Sequence, residues 1–147
     1  MIVGQQSNFD FFKMTCLELH EALLDAVCRH DLPRVKQCLK EGADVLYVHP
    51  SEDEDGPIQP VTPLSMVVFK LADNRLRQED FQSFKDITLW LLLHGADTHH
   101  AMALAEQSYG PFDEAWFDES LTVAPLGLIA RAHFDRLAAV RMSPSLA

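Results

Sequence analysis

Basic residues are scarce in this chain: 12 Lys and Arg stand against 22 Asp and Glu, a formal net charge of −10. Phosphate backbones and anionic membranes bind basic faces, so nucleic acid and membrane are disfavoured as partners. Cysteine is sparse too. Cys16, Cys28 and Cys38 cannot all pair within one chain and form no Cys-x-x-Cys. Reduced thiols in a cytoplasmic protein are the simpler reading, with Cys28 and Cys38 on apolar helix faces as core rather than nucleophiles. No apolar run approaches the roughly 20 residues of a membrane-spanning helix. The first residues lack the basic n-region and apolar stretch of a secretory signal, so none is expected. There is no Gly-rich phosphate loop, no Gly-x-Ser-x-Gly and no His-Glu-x-x-His. No nucleophile, base and orienter can be named together, so the chain is expected not to be an enzyme and to need no cofactor.

What the chain does have is charge in the wrong proportion at two places. The segment Asp44–Val61 holds Asp44, Glu52, Asp53, Glu54 and Asp55 with no Lys or Arg. The segment Asp97–Val123 holds Asp97, Glu106, Asp113, Glu114, Asp118 and Glu119, again with none. The rest of the chain is nearly neutral, with 11 acidic and 12 basic residues. Both segments open on Gly-Ala-Asp, so the charge sits at equivalent points of a repeat and argues for a surface that binds a basic protein. Apolar residues make up 48% of the chain, enough for one folded domain rather than a disordered polyanion.

Helical periodicity recurs along the sequence. Leu19, Leu23, Ala26 and Val27 form one stripe, and Val35, Cys38 and Leu39 a second that stops at Gly42. Pro33 suits a first helical turn, where its missing N–H costs nothing. Thr62 caps a further helix with Pro63 at its first position and Leu64, Val67, Val68 and Leu71 along it. Phe84, Ile87, Leu91 and Leu92 follow on a helix ending at Gly95. Leu89, Trp90 and Leu93 widen its apolar face, which is expected of a helix sandwiched on several sides. A third unit is expected from Ala124-Pro125-Leu126, with a turn at His133-Phe134-Asp135 and a last helix through Leu137, Ala138 and Val140.

These residues resemble ankyrin repeats, whose pattern is Thr-Pro-Leu-His-x-Ala, two short helices ending Leu-Leu-x-x-Gly-Ala-Asp, then a β-hairpin finger. The matching residues are Thr62-Pro63-Leu64-Ser65, Leu91 to Asp97, Leu23 to Ala26, Cys38 to Asp44, and Ala124 to Gly127. The resemblance implies an all-α, ankyrin-like helix-turn-helix stack, a short α-solenoid with long finger loops. Its repeats would run over 17–61, 62–123 and 124–142, after a lead-in at 1–16 holding Phe9, Phe11 and Phe12, and before a tail at 143–147. The spacing exceeds the family period of about 33 residues. The excess falls after each Gly-Ala-Asp and, in the second unit, also near Ala72–Ser83. Both enlarged fingers are the acidic segments. The family's His is replaced by Ser65 and Gly127, which puts its hydrogen bonds in doubt.

Such a scaffold implies binding rather than a particular activity. The first finger offers Glu52, Asp53, Glu54 and Asp55, read either as a lure for Lys and Arg or as a solvated loop. The second offers Tyr109, Phe112, Asp113, Glu114, Trp116, Phe117, Asp118 and Glu119. Its rings are read as anchors in a partner's pockets, with Trp116 and Phe117 foremost; the alternative is that Phe112, Trp116 and Phe117 fold back and seal helix ends. Part of Thr98–Gln107 could be an extra helical turn carrying that finger. His94, Asp97, His99 and His100 lie close in sequence, but adjacent histidines rarely share one metal, so no metal is expected. The resulting expectation is a monomer or heterodimer that binds a basic protein partner. It could be an inhibitor, such as an immunity protein neutralising a toxin; the alternative is an adaptor or chaperone-like subunit of a larger complex.

Overall fold

A computed structural model describes residues 15–51, 59–73, 75–118, 120 and 123–141. The expected lead-in aromatics, the carboxylates Glu52–Asp55, Glu119 and the tail lie outside the described residues. The fold is all-α. Its helices are α1 (Cys16–Cys28), α2 (Leu32–Lys40), α3 (Pro63–Leu71), α4 (Gln78–Leu93), α5 (His99–Tyr109) and α6 (Ala124–Arg141). A short antiparallel ribbon of β1 (His49–Ser51) and β2 (Gln59–Val61) separates α2 from α3, and a 3₁₀ turn (Glu114–Phe117) precedes α6.

Polar residues set the helix starts. Thr15 Oγ1 accepts from the Glu18 N–H at 3.1 Å, and Asp31 Oδ1 accepts from the Arg34 N–H at 3.2 Å. At α3, Thr62 Oγ1 accepts from the Ser65 N–H and Ser65 Oγ accepts from the Thr62 N–H, a reciprocal capping box. Gly42 (φ 101°) and Gly95 (φ 87°) end α2 and α4 in the left-handed region that favours glycine. The two ends close identically. The Ala43 and Ala96 N–H groups reach back to the Cys38 and Leu91 carbonyls, and the two glycine N–H groups reach Leu39 and Leu92. Both alanines then tuck into the core. Asp44 and Asp97 each accept from the N–H two residues on, that of Leu46 at 2.8 Å and His99 at 3.0 Å.

Packing follows from these elements. The helices pair as α1 with α2, α3 with α4, and α5 with α6; α1, α3 and α5 then stack in one row, and α2, α4 and α6 in the other. Between the rows lies one core that includes Leu23, Val27, Val35, Leu64, Val67, Phe84, Ile87, Leu91 and Ile129. Each fully buried aliphatic or Phe side chain contributes roughly 1.5–3 kcal/mol by leaving water. Thr88 is the buried polar residue of α4, and its hydroxyl donates to the Phe84 carbonyl at 2.7 Å.

Three expectations are corrected. The turn at His133-Phe134-Asp135 is the middle of an unbroken 18-residue helix, since no glycine or proline interrupts the chain there. The third helix pair therefore starts at α5, not at Ala124, and Thr98–Gln107 is no single extra turn but most of an 11-residue helix packed on α3. The first part of the second acidic segment is thus a helix, because Ala101, Met102 and Ala105 give it a buried stripe, and of the segment's carboxylates only Glu106 lies on it. As expected, α4 is packed on several sides, against α2, α3 and α6, while Leu89 and Leu93 of its wide apolar face stay 39% and 78% exposed.

Candidate interaction surfaces

The first acidic segment leaves the body on a braced stem. The Asp44 N–H donates to His20 Nδ1 at 3.0 Å, fixing the start of the segment to α1. The Tyr47 ring lies 5.2 Å from His20, and its hydroxyl is 3.2 Å from His49 Nδ1. In the ribbon, His49 faces Val61, Pro50 faces Pro60 and Ser51 faces Gln59. The central proline pair has no N–H to donate, so the ladder rests on its two outer pairs, and the prolines discourage a further strand from adding at either edge. Glu52–Asp55 belong to the seven-residue link between these strands.

The second segment folds inward. Trp116 is 5% exposed and part of the core. Phe112 lies edge-on to Trp116, Phe117 and Phe134, with ring centroids 4.8–5.6 Å apart. Trp116 therefore has no face left for a partner, and its reading as a partner anchor is corrected: a large ring beside helix α6 gains more from burial in its own chain than from waiting in water. Gly127 on α6 makes this approach possible. A Cβ there would stand 2.5 Å from the Trp116 carbonyl oxygen. Phe117 remains 38% exposed, with the Arg131 guanidinium 5.3 Å over its ring.

The remaining residues nominated in this segment have local partners or open faces. Asp113 accepts from the Ala115 N–H at 3.3 Å and starts the 3₁₀ turn, while Asp118 accepts from the Ser120 N–H at 3.0 Å. Glu114 is exposed. Tyr109, at the end of α5, is 41% exposed, and its partial burial lifts the phenol above its ordinary range.

The histidines serve the scaffold. His133 Nδ1 is 2.9 Å from the buried Thr98 hydroxyl, and Arg136 donates to the Ala96 carbonyl at 3.3 Å and pairs with Asp97 at 3.5 Å. Helix α6 thereby clamps the second Gly-Ala-Asp from outside. His94 Nδ1 lies 2.9 Å from the Trp90 carbonyl. Among the described residues no group of three or more His, Cys, Asp or Glu could hold a metal ion, and no helix is long and apolar enough to cross a membrane.

Sequence reasoning missed the work of Gly127, His20 and His133. In the sequence Gly127 reads only as the residue standing where the family has its histidine, although a helix-interior glycine costs stability unless something packs against it. No family model, curated protein or solved structure matches this chain.

Proposed function

We propose that this chain is a non-enzymatic protein-binding module, built as a short ankyrin-like stack, that engages a basic surface on its partner through the Asp44–Val61 segment. The observation that carries the proposal is the pairing of composition with placement. Five carboxylates and no basic residue occupy a segment whose two ends are held by a ribbon and by His20. Held ends lower the ordering cost of binding, and a single-signed surface speeds encounter with the opposite charge.

The ankyrin-like reading draws support from the two rows of paired helices and from the two identical Gly-Ala-Asp closures. It gains a further match at Leu19-His20-Glu21-Ala22, which fits the Leu-His-x-Ala half of the family pattern better than the Leu23 register does. His20 then uses its ring to hold the Gly-Ala-Asp loop. On this register the stack has three units, the third beginning at Thr98. Of the residues first nominated, Glu52–Asp55 stay at the centre of the proposal and Trp116 leaves it.

The inhibitor form, an immunity-type protein occluding a basic cleft of a toxin, requires loss of the partner's activity at one-to-one stoichiometry. Retained activity with a third component bound would mark an adaptor instead. The direct test is capture from the native source at low salt with wild type and with Glu52→Gln/Asp53→Asn/Glu54→Gln/Asp55→Asn, followed by association kinetics on the captured protein. A basic partner whose association rate falls about tenfold in the variant, with the difference vanishing at high salt, is expected. Unchanged kinetics at low salt refute the steering role.

A further inference from the structure

A groove of about 400 Å³ opens where the 3₁₀ turn meets α4 and α6, lined among others by Lys85, Phe117, Asp118, Gly127, Leu128 and Arg131. Its charge runs against that of the chain. Two cations and one carboxylate line it, in a protein of net charge −10. Among the described residues neither Lys85 nor Arg131 is engaged in an ion pair. Asp118 is turned partly onto its own loop through the Ser120 N–H. Arg131 lies over one face of the Phe117 ring, so a cation and an aromatic ring meet in the groove. Gly127 and Leu128 add apolar wall without charge.

We infer that this groove docks an acidic, aromatic-bearing peptide segment of the partner, a carboxylate between Lys85 and Arg131 and an apolar side chain against Phe117 and Leu128. Guanidinium and ammonium groups beside an apolar wall match a carboxylate next to a ring. The groove is open rather than enclosed, which suits a chain passing through it. Asp118 repels a second carboxylate at its own end and so fixes which way the segment lies. The inference rests on the reading of the chain as a protein-binding module. It adds a second contact of opposite sign to the acidic segment, so that a partner must present both charges in the right places.

The test uses the full chain and fluorescein-labelled peptides of alternating Glu and Phe, with Lys-Phe peptides as the counterpart, read by fluorescence polarisation. The Glu-Phe peptide is expected to bind, to weaken as salt rises, and to bind at least tenfold more weakly to Lys85→Gln/Arg131→Gln. Each single variant should fall between, and Lys40→Gln, a cation elsewhere, should bind as wild type does. Arg131 is exposed, so Arg131→Gln alone remains informative if the double variant unfolds. Equal binding by the Lys-Phe peptide, no binding by the Glu-Phe peptide, or binding that ignores the substitutions overturns the inference. Displacement by benzoate at equal concentration overturns the peptide assignment in favour of a small-anion site. Because no partner is used, this titration can fail while the acidic segment still captures one, and the reverse.

Discussion

Replacing Gly127 by alanine sets two effects of known sign against each other. In an ordinary helix interior the change stabilises by about 1 kcal/mol, because glycine wastes backbone entropy. Here the new Cβ would lie 2.5 Å from the Trp116 carbonyl oxygen and 3.4 Å from its carbonyl carbon. Both atoms are backbone, so no rotamer change relieves the clash and the whole 3₁₀ turn must move. Overpacking of this kind costs roughly 1–3 kcal/mol, and full release of the Trp116 ring would approach the 3–5 kcal/mol of a deleted core aromatic, roughly. A net loss of up to about 2 kcal/mol is expected, lowering Tm by as much as about 4–8 °C at roughly 2–4 °C per kcal/mol. Thermal unfolding measures the loss. Tryptophan emission in a Trp90→Phe background locates it, since Trp116 should shift to the red as it meets water. A Gly127→Ala protein that melts higher, with Trp116 emission unchanged, would refute the reasoning.

Other expectations are simpler. Thr62→Val/Ser65→Ala removes the capping box of α3 and should cost about 1–2 kcal/mol, read as a lower midpoint in urea. Arg75 bonds hold the Asp73 carboxyl down at about 2, first through the side-chain hydrogen bond and then through the Arg75 N–H. The folded value is depressed, so whatever the pair contributes is present above the ordinary carboxylate range and is lost as pH falls through about 2. NMR of the Asp73 carboxyl carbon should place its midpoint there, and Arg75→Ala should return it toward the ordinary range. Burial raises the Cys38 thiol, while Cys16 is exposed. A brief iodoacetamide pulse should therefore label Cys16 in the folded protein and Cys38 only after unfolding, read by peptide mass.

How far the sequence spoke for itself depended on the kind of signal. Helices with a cap, a proline and a glycine stop were legible: Thr62-Pro63 and Gly42 mark the ends that form. Helix α5 was not, because Ala101, Met102 and Ala105 make a thin stripe inside a segment whose charge drew attention outward. The false turn at His133 came from forcing Ala124-Pro125-Leu126-Gly127 into the first-helix register, when the same residues begin α6, in the row of α2 and α4. The aromatics from Phe112 to Phe117 illustrate a general ambiguity: a ring bound for a partner and a ring bound for its own core have the same sequence. What separates them here is Gly127, thirteen or so residues away along the chain, whose missing side chain admits the turn.

Among the described residues the first and third helix pairs make no substantial contact with each other; each leans on α3 and α4 between them. The molecule is therefore wired in series. Hydrogen exchange should show the end pairs opening on their own while the middle pair holds out to global unfolding. Pulled by its two ends, such a chain gives way a unit at a time, so that a partner gripping the β1–β2 ribbon would feel the loss of α1 and α2 long before that of α6.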